Sequence, residues 1–167
     1  MTDHARALDA LAAVDAAGLR AVLLKVCASP AWAEAVAATR PWPDRRALLD
    51  ANAEAMAALS TADLRDALAA HPRIGAPAAG GSASQQEQAG VREADPALLD
   101  ELRRANASYE SRFGHVFLIC ATGRSAATLL AALRERHAND PATEAEITRH
   151  ELRRINDIRL TRLLEGI

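Results

Sequence analysis

The chain has 167 residues, 50% hydrophobic and 25% charged, with a formal net charge of -2. That size and balance suit one compact domain spanning 1–167. The 20 basic residues are offset by 22 acidic ones, so no positive excess exists to track a phosphate backbone, and nucleic acid is excluded as a first partner. The longest apolar runs, such as 116–121, fall far short of the roughly 18 residues a membrane span needs, and Asp3, Asp9 and Asp15 interrupt any signal-like stretch at the start. A cytoplasmic setting without membrane partners is expected, and the C-terminal Glu165-Gly166-Ile167 is not a peroxisomal address.

Alanine fills about a quarter of the chain, aromatic residues only 3%, and Gly and Pro number 8 and 7. Abundant Ala, Leu, Arg and Glu with few turn formers point to an all-α fold whose core is built from Leu, Val, Ile and Ala. Leu8, Leu11 and Val14, then Leu19, Val22, Leu23 and Val26, recur at helical steps, as one amphipathic helix or a broken pair. Ser29 can cap a new helix with Pro30 in its first turn, running through Trp32 to about residue 39. The segment Arg40-Pro41-Trp42-Pro43-Asp44 ends it and caps the next, over 45–59. Ser60 and Asp63 have capping-box spacing, with Asp in place of Glu, for a short helix over 61–70 leading into His71-Pro72. Pro72 biases His71 away from the helical region.

Residues 75–82 are Gly, Ala, Pro and Ser and predict an irregular loop, after which Ser82 or Ser84 can cap a helix carrying residues 85–90. The clearest helix covers 96–113, with Leu98, Leu99, Leu102 and Tyr109 on its apolar stripe and Gly114 placed to end it. Val116-Phe117-Leu118-Ile119-Cys120 is a short apolar run, a strand or a buried irregular segment near 115–121, and periodicity leaves the two open. Helices over 125–137 and 143–164 close the chain. The second is studded with Arg149, Arg153, Arg154, Arg159 and Arg162, read by itself as a solvated face.

His71 stands at a helix end beside a proline and a glycine-rich loop, where it suits a general acid or base, or caps the helix C-terminus through the dipole. Glu87 alone reads equally as a solvated first-turn glutamate. Cys27 and Cys120 lie far apart with no second thiol at metal-ligand spacing, which indicates small core residues and neither a disulfide nor a zinc site. No His-Glu-x-x-His, phosphate-loop or nucleophile-elbow pattern occurs, which weakens metal hydrolase, nucleotide and serine hydrolase readings.

Taken in order, His71-Pro72-Arg73-Ile74-Gly75, Ser84-x-x-Glu87-Gln88-x-Gly90, Asn106-x-x-Tyr109-x-x-Arg112-Phe113-Gly114-His115-Val116-Phe117-Leu118-Ile119-Cys120 and Ile158-Arg159-Leu160 resemble the OHCU decarboxylase family. Upstream, Cys27-x-Ser29-Pro30-x-Trp32 and Arg40-Pro41 match as well. The family's reaction converts 2-oxo-4-hydroxy-4-carboxy-5-ureidoimidazoline to (S)-allantoin, the last step of urate degradation to that product. The resemblance implies an all-helical lyase of a small ureidoimidazoline, working without a cofactor or metal, and allows a homodimer. It carries His71 over as the catalytic histidine and Glu87 as the essential carboxylate. Arg159 becomes the ligand clamp, and Pro72, Ser84, Gln88, Phe117, Leu118 and Ile119 become pocket positions. This chain departs from many members at Arg73-Ile74, where they have Asp-Leu, at His115-Val116, where they have Phe-Pro, and at Met56, where they have Trp. The competing readings are a helical interaction module using the Arg-rich last helix as its surface, and a decarboxylase of a related hydroxy-carboxy heterocycle.

Overall fold

A computed structural model describes residues 3–76 and 82–166, and among them there is helix and irregular backbone with no strand. The helices are α1 Asp3–Ala13, α2 Ala16–Val26, α3 Pro30–Ala38, α4 Arg45–Ala58, α5 Thr61–Ala69, α6 Ser82–Glu87, α7 Pro96–Phe113, α8 Ala126–His137 and α9 Pro141–Glu165, with a 3-10 turn at Ala89–Val91. The all-α expectation holds.

Most boundaries are set by caps legible in the sequence. The first apolar stretch is a broken pair, because the Asp15 carboxylate accepts from Gly18 N at 2.7 Å and starts α2. Ser29 Oγ accepts from Trp32 N at 3.2 Å, with Pro30 in the first turn of α3, and Asp44 caps α4 through Ala47 N at 2.8 Å. The Ser60–Asp63 box forms in both directions: Asp63 N donates to Ser60 Oγ at 3.1 Å and Ser60 N to Asp63 Oδ2 at 3.2 Å. Gly114 ends α7 at φ 75°, a left-handed conformation that costs glycine little.

Two helices begin earlier than their patterns suggest. α9 starts at Pro141 because the Asp140 carboxylate collects Ala142 N and Thr143 N at 3.1 and 3.0 Å. α6 starts at Ser82, so Ser84 lies inside it and is not its cap. The backbone then tightens into the 3-10 turn instead of continuing to residue 90, with Val91 N donating to Gln88 O at 3.0 Å. Of the expected loop, 77–81 lie outside the described residues.

The chain divides into two compact units, Met1–Ala67 with Arg153–Ile167, and Leu68–Leu152. In the first unit α2 packs on α3, and α3 and α1 on α4. The unit buries Leu8, Leu11, Leu19, Leu23, Trp32, Leu48 and Leu160. Asn52, itself fully buried, ties three helices together. It accepts from Trp32 Nε1 at 2.8 Å and donates to Arg153 O and Asp157 Oδ1 at 3.2 and 2.8 Å. The second unit packs α7 on α8 around Ile74, Val91, Leu102, Tyr109, Phe117, Ile119, Leu129, Leu130 and Leu133.

The run 116–121 is irregular and deeply buried from Phe117 onward, which settles the alternative left by its sequence. The arginines of α9 depart from expectation: Arg149, Arg153, Arg154, Arg159 and Arg162 are all half-buried, so they do not form a plain solvated face. The aliphatic stem of an arginine can cover apolar surface while its head finds acceptors, so charge alone does not place it in water. Both cysteines are buried and unbridged, and burial pushes the Cys27 thiol up, against smaller opposing effects from Asn156, Ser29 and Arg159. That agrees with a core role. No described helix is long and apolar enough to cross a membrane.

Candidate active site

His71 directly follows the last turn of α5, where its N–H donates to Leu68 O at 3.0 Å, and its side chain is 8% exposed. Pro72 is half-buried and Arg73 exposed, while Ile74 turns into the core. Gly75 takes φ 78°, which lets the chain reverse immediately after Ile74. Three groups from elsewhere in the same unit hold this short loop. Asn106 Nδ2 of α7 donates to Ile74 O at 2.9 Å, and Gly75 N donates to Gln88 Oε1 at 2.9 Å. The Arg73 guanidinium meets Glu110 of α7 in a two-pronged pair at 2.6 and 2.7 Å. The Arg73 substitution noted in the sequence therefore has a local partner.

Glu87 closes α6 and is 8% exposed, so the reading of a solvated glutamate is corrected. Ser84 and Gln88 are half-buried, and Gln88 N donates to Ser84 O at 3.1 Å. Through its side chain Gln88 links the Ser84–Gly90 motif to the His71–Gly75 motif. Gly90 is required by a close approach: a Cβ there would stand 2.4 Å from the Arg124 carbonyl oxygen, a backbone atom that cannot swing aside.

The third motif enters through the core. Ile74, Val91, Tyr109, Phe117 and Ile119 belong to one buried cluster, so the segments carrying His71, Glu87 and the 117–119 run share a single hydrophobic centre. The Tyr109 ring meets Phe113 at 4.6 Å and Phe117 at 5.2 Å between centroids. Arg159 belongs to the other unit, where its Nη1 donates to Val26 O at 2.8 Å from the half-buried face of α9.

Sequence reading gave no role to several buried polar groups of the second unit. Arg136 donates from Nε and Nη2 to Glu144 Oε1 at 2.9 and 2.6 Å, and from Nη1 to Leu118 O at 2.8 Å. Tyr109 Oη donates to the same Glu144 oxygen at 2.5 Å, and Asn139 Nδ2 to its other oxygen at 3.0 Å. Burial alone would raise the Glu144 carboxyl; the hydrogen bonds from Arg136, Tyr109 and Asn139 and the arginine charge outweigh it and hold it below its ordinary value. Burial, then the hydrogen bond to Glu144 and its negative charge, push the Tyr109 hydroxyl well up. Glu151 Oε2 accepts from Cys120 N at 2.8 Å. Helical periodicity gives no signal for this network, because a charged residue in a helical pattern reads as solvent-facing.

Among the described residues no group of three or more His, Cys, Asp or Glu side chains is placed to hold a metal ion. A cleft of about 460 Å³ lined by Glu101, Arg104, Ala105, Ser108, Leu133, Arg134 and His137 contains none of the nominated residues.

Comparison with known proteins agrees with this convergence of motifs. The curated "Uric acid degradation bifunctional protein TTL" of Arabidopsis thaliana is 31% identical over 144 residues, 82% of this chain and 44% of that protein. The 2-oxo-4-hydroxy-4-carboxy-5-ureidoimidazoline decarboxylase of Amia calva is 34% identical over 84 residues, 50% of this chain and 48% of that protein. The chain thus spans about half the length of the curated relatives it matches. A crystal structure of OHCU decarboxylase in the presence of (S)-allantoin superposes with a TM-score of 0.75 at 29% identity, covering 85% of this chain and 96% of that one. A structure of (S)-allantoin synthase, 19% identical with a TM-score of 0.74, covers 93% of this chain and 53% of that one and shares its fold. A family model described as OHCU decarboxylase matches residues 12–161, nearly the whole chain, and this chain belongs to that family.

Proposed function

We propose that this chain decarboxylates 2-oxo-4-hydroxy-4-carboxy-5-ureidoimidazoline to (S)-allantoin without a cofactor, as a cytoplasmic single-domain enzyme able to form homodimers. The observation that carries the reading is the family match over 12–161 in a chain where His71 and Glu87 are both buried on segments that share one core.

The chemistry sets what the residues must do. When the carbon–carboxylate bond breaks, its electron pair becomes a carbon–carbon double bond to the neighbouring ring carbon, as the imine π pair moves onto nitrogen and takes a proton. CO2 leaves, and the resulting enol gives up its hydroxyl proton while the ureido-bearing carbon accepts one, which creates a ring carbonyl at the carbon that carried the carboxylate. The substrate supplies its own electron sink, so the protein has to orient the carboxylate out of the ring plane, grip the ureide and protonate one face. A histidine ordinarily titrates near pH 6.5, so an imidazole is suited to exchange protons at neutral pH. We assign that exchange to His71. Glu87 holds the imidazole in one tautomer or takes the hydroxyl proton. Arg159 supplies a planar multi-donor clamp for carboxylate or ureide oxygens. Pro72, Ser84 and Gln88 line the pocket with Phe117, Leu118 and Ile119, whose backbone groups form its polar rim.

The test follows circular dichroism of allantoin while urate oxidase and hydroxyisourate hydrolase generate the labile substrate. Faster decay of the intermediate with a strong (S)-allantoin signal is expected. Unchanged decay to racemic product would overturn the assignment.

A further inference from the structure

Residues 117–121 pose a problem of backbone accounting. All five are at most 3% exposed and lie in neither helix nor strand. Buried peptide groups outside regular structure need partners from elsewhere. Two of them are taken by charged side chains: Leu118 O by Arg136 Nη1 and Cys120 N by Glu151 Oε2, each at 2.8 Å.

These two contacts hold the two peptide planes that flank the Ile119 Cα. One plane carries Leu118 C=O and Ile119 N–H, the other Ile119 C=O and Cys120 N–H. In a trans peptide the carbonyl and the N–H point in opposite directions. Arg136 therefore turns the Ile119 N–H away from itself, and Glu151 does the same to the Ile119 carbonyl. The directions of both Ile119 polar groups are fixed without any contact to them.

Arg136 is itself immobilised. Beyond its two bonds to Glu144 it reaches Thr148 Oγ1 at 3.2 Å, and its guanidinium lies 4.6 Å from the Phe117 ring centroid. Glu144 is gripped in turn by Tyr109 and Asn139. A fork-shaped donor set with each edge engaged has one orientation available, whereas a lysine ammonium would be free to rotate.

We propose that Arg136, held by Glu144 and Tyr109, and Glu151 are positioning residues that aim the Ile119 backbone groups at the substrate. This rests on the reading that the 117–119 segment forms the polar rim of the decarboxylase site. Because the pair acts through backbone directions, its loss weakens substrate binding more than it slows the chemical step.

The test compares kcat and KM across variants. Removing Arg136 alone leaves Glu144 buried without its charge partner and endangers folding, so the informative variant is the double Arg136→Met, Glu144→Met. It should melt cooperatively and show KM raised at least ten-fold with a smaller fall in kcat. Glu151→Leu should behave alike, and Glu151→Gln, which keeps an acceptor for Cys120 N, should stay within two-fold of the parent. Leu11→Ala, in the core of the other unit, controls for lost stability and should leave KM unchanged. Amide exchange at Cys120, slow in the parent and fast in Glu151→Leu, reads the clamp without any substrate. A folded double variant with KM within two-fold of the parent, or equal Cys120 exchange in both proteins, overturns the proposal. A parent chain with no decarboxylation overturns the functional reading first, and the positioning role falls with it.

Discussion

Asn106 offers a direct test of how the His71 loop is held. Its side chain is 2% exposed; Nδ2 donates to Ile74 O at 2.9 Å, while Oδ1 finds no partner among the described residues. The residue thus satisfies one buried carbonyl and leaves one buried oxygen unmet. In Asn106→Ala both terms change: the bond to Ile74 O is lost, and the orphaned oxygen is removed. A buried hydrogen-bond partner left unmet costs about 1–3 kcal/mol, and deleting the orphan returns part of that, so a net loss of about 1–2 kcal/mol is expected. At about 2.1 cal/mol/K of unfolding entropy per residue, a chain of 167 residues should lose about 3–6 °C in Tm. Asn106→Asp keeps the shape and replaces the donor by a carboxylate oxygen facing the Ile74 carbonyl. An uncompensated buried charge costs about 3–5 kcal/mol, or about 9–14 °C in Tm. The protonated acid can donate to Ile74 O, so its bound proton is favoured in the folded state; that stability is lost as pH rises, and the deficit should narrow from pH 7 to pH 5. Thermal melts followed by far-UV circular dichroism measure each value. Turnover should fall about ten-fold in Asn106→Ala at full helical content, since a misplaced catalytic group costs far more in rate than in stability. An Asn106→Asp protein as stable as Asn106→Ala at pH 7 would refute this account of the loop.

His71→Asn should abolish turnover at full helical content, because the Asn106, Gln88 and Glu110 contacts to residues 73–75 do not depend on the imidazole; normal turnover removes His71 from the mechanism. Gly90→Ala forces a Cβ to 2.4 Å from Arg124 O. Overpacking of this kind costs about 1–3 kcal/mol, and it shifts the turn after Glu87, so lowered Tm and lowered kcat are expected together, and a neutral variant would mean that the turn relaxes freely. Stability should also follow pH at both ends. Glu144 titrates below its ordinary 4.5 when folded, so its contribution is complete above that value and lost as pH falls through the lower folded one. Tyr109 is raised from 10.0, so its contribution is complete below pH 10 and lost as pH rises beyond it. Urea unfolding across pH 3–11 should show both limbs weakened in the Arg136→Met, Glu144→Met double variant, and identical profiles would contradict the assignment.

Much of this molecule was settled by the sequence within a few residues of each feature. A helix start is a hydrogen bond from a side chain to a backbone N–H two or three residues on, which is why Ser29, Asp44 and the Ser60–Asp63 pair announce theirs. The ordered motifs around His71, Glu87 and Arg159 likewise carry the family resemblance in the sequence alone. Tertiary structure decided what depends on residues far apart in the chain. Whether 116–121 pairs as a strand depends on neighbours that the run does not contain, and here those neighbours are Arg136 and Glu151. The need for glycine at position 90 comes from the Arg124 carbonyl lying against it, and the burial of Arg136 and Glu144 reflects each other's charge. Such pairings leave no periodic trace, because a charged residue in a helical pattern reads as solvent-facing until its partner is brought beside it.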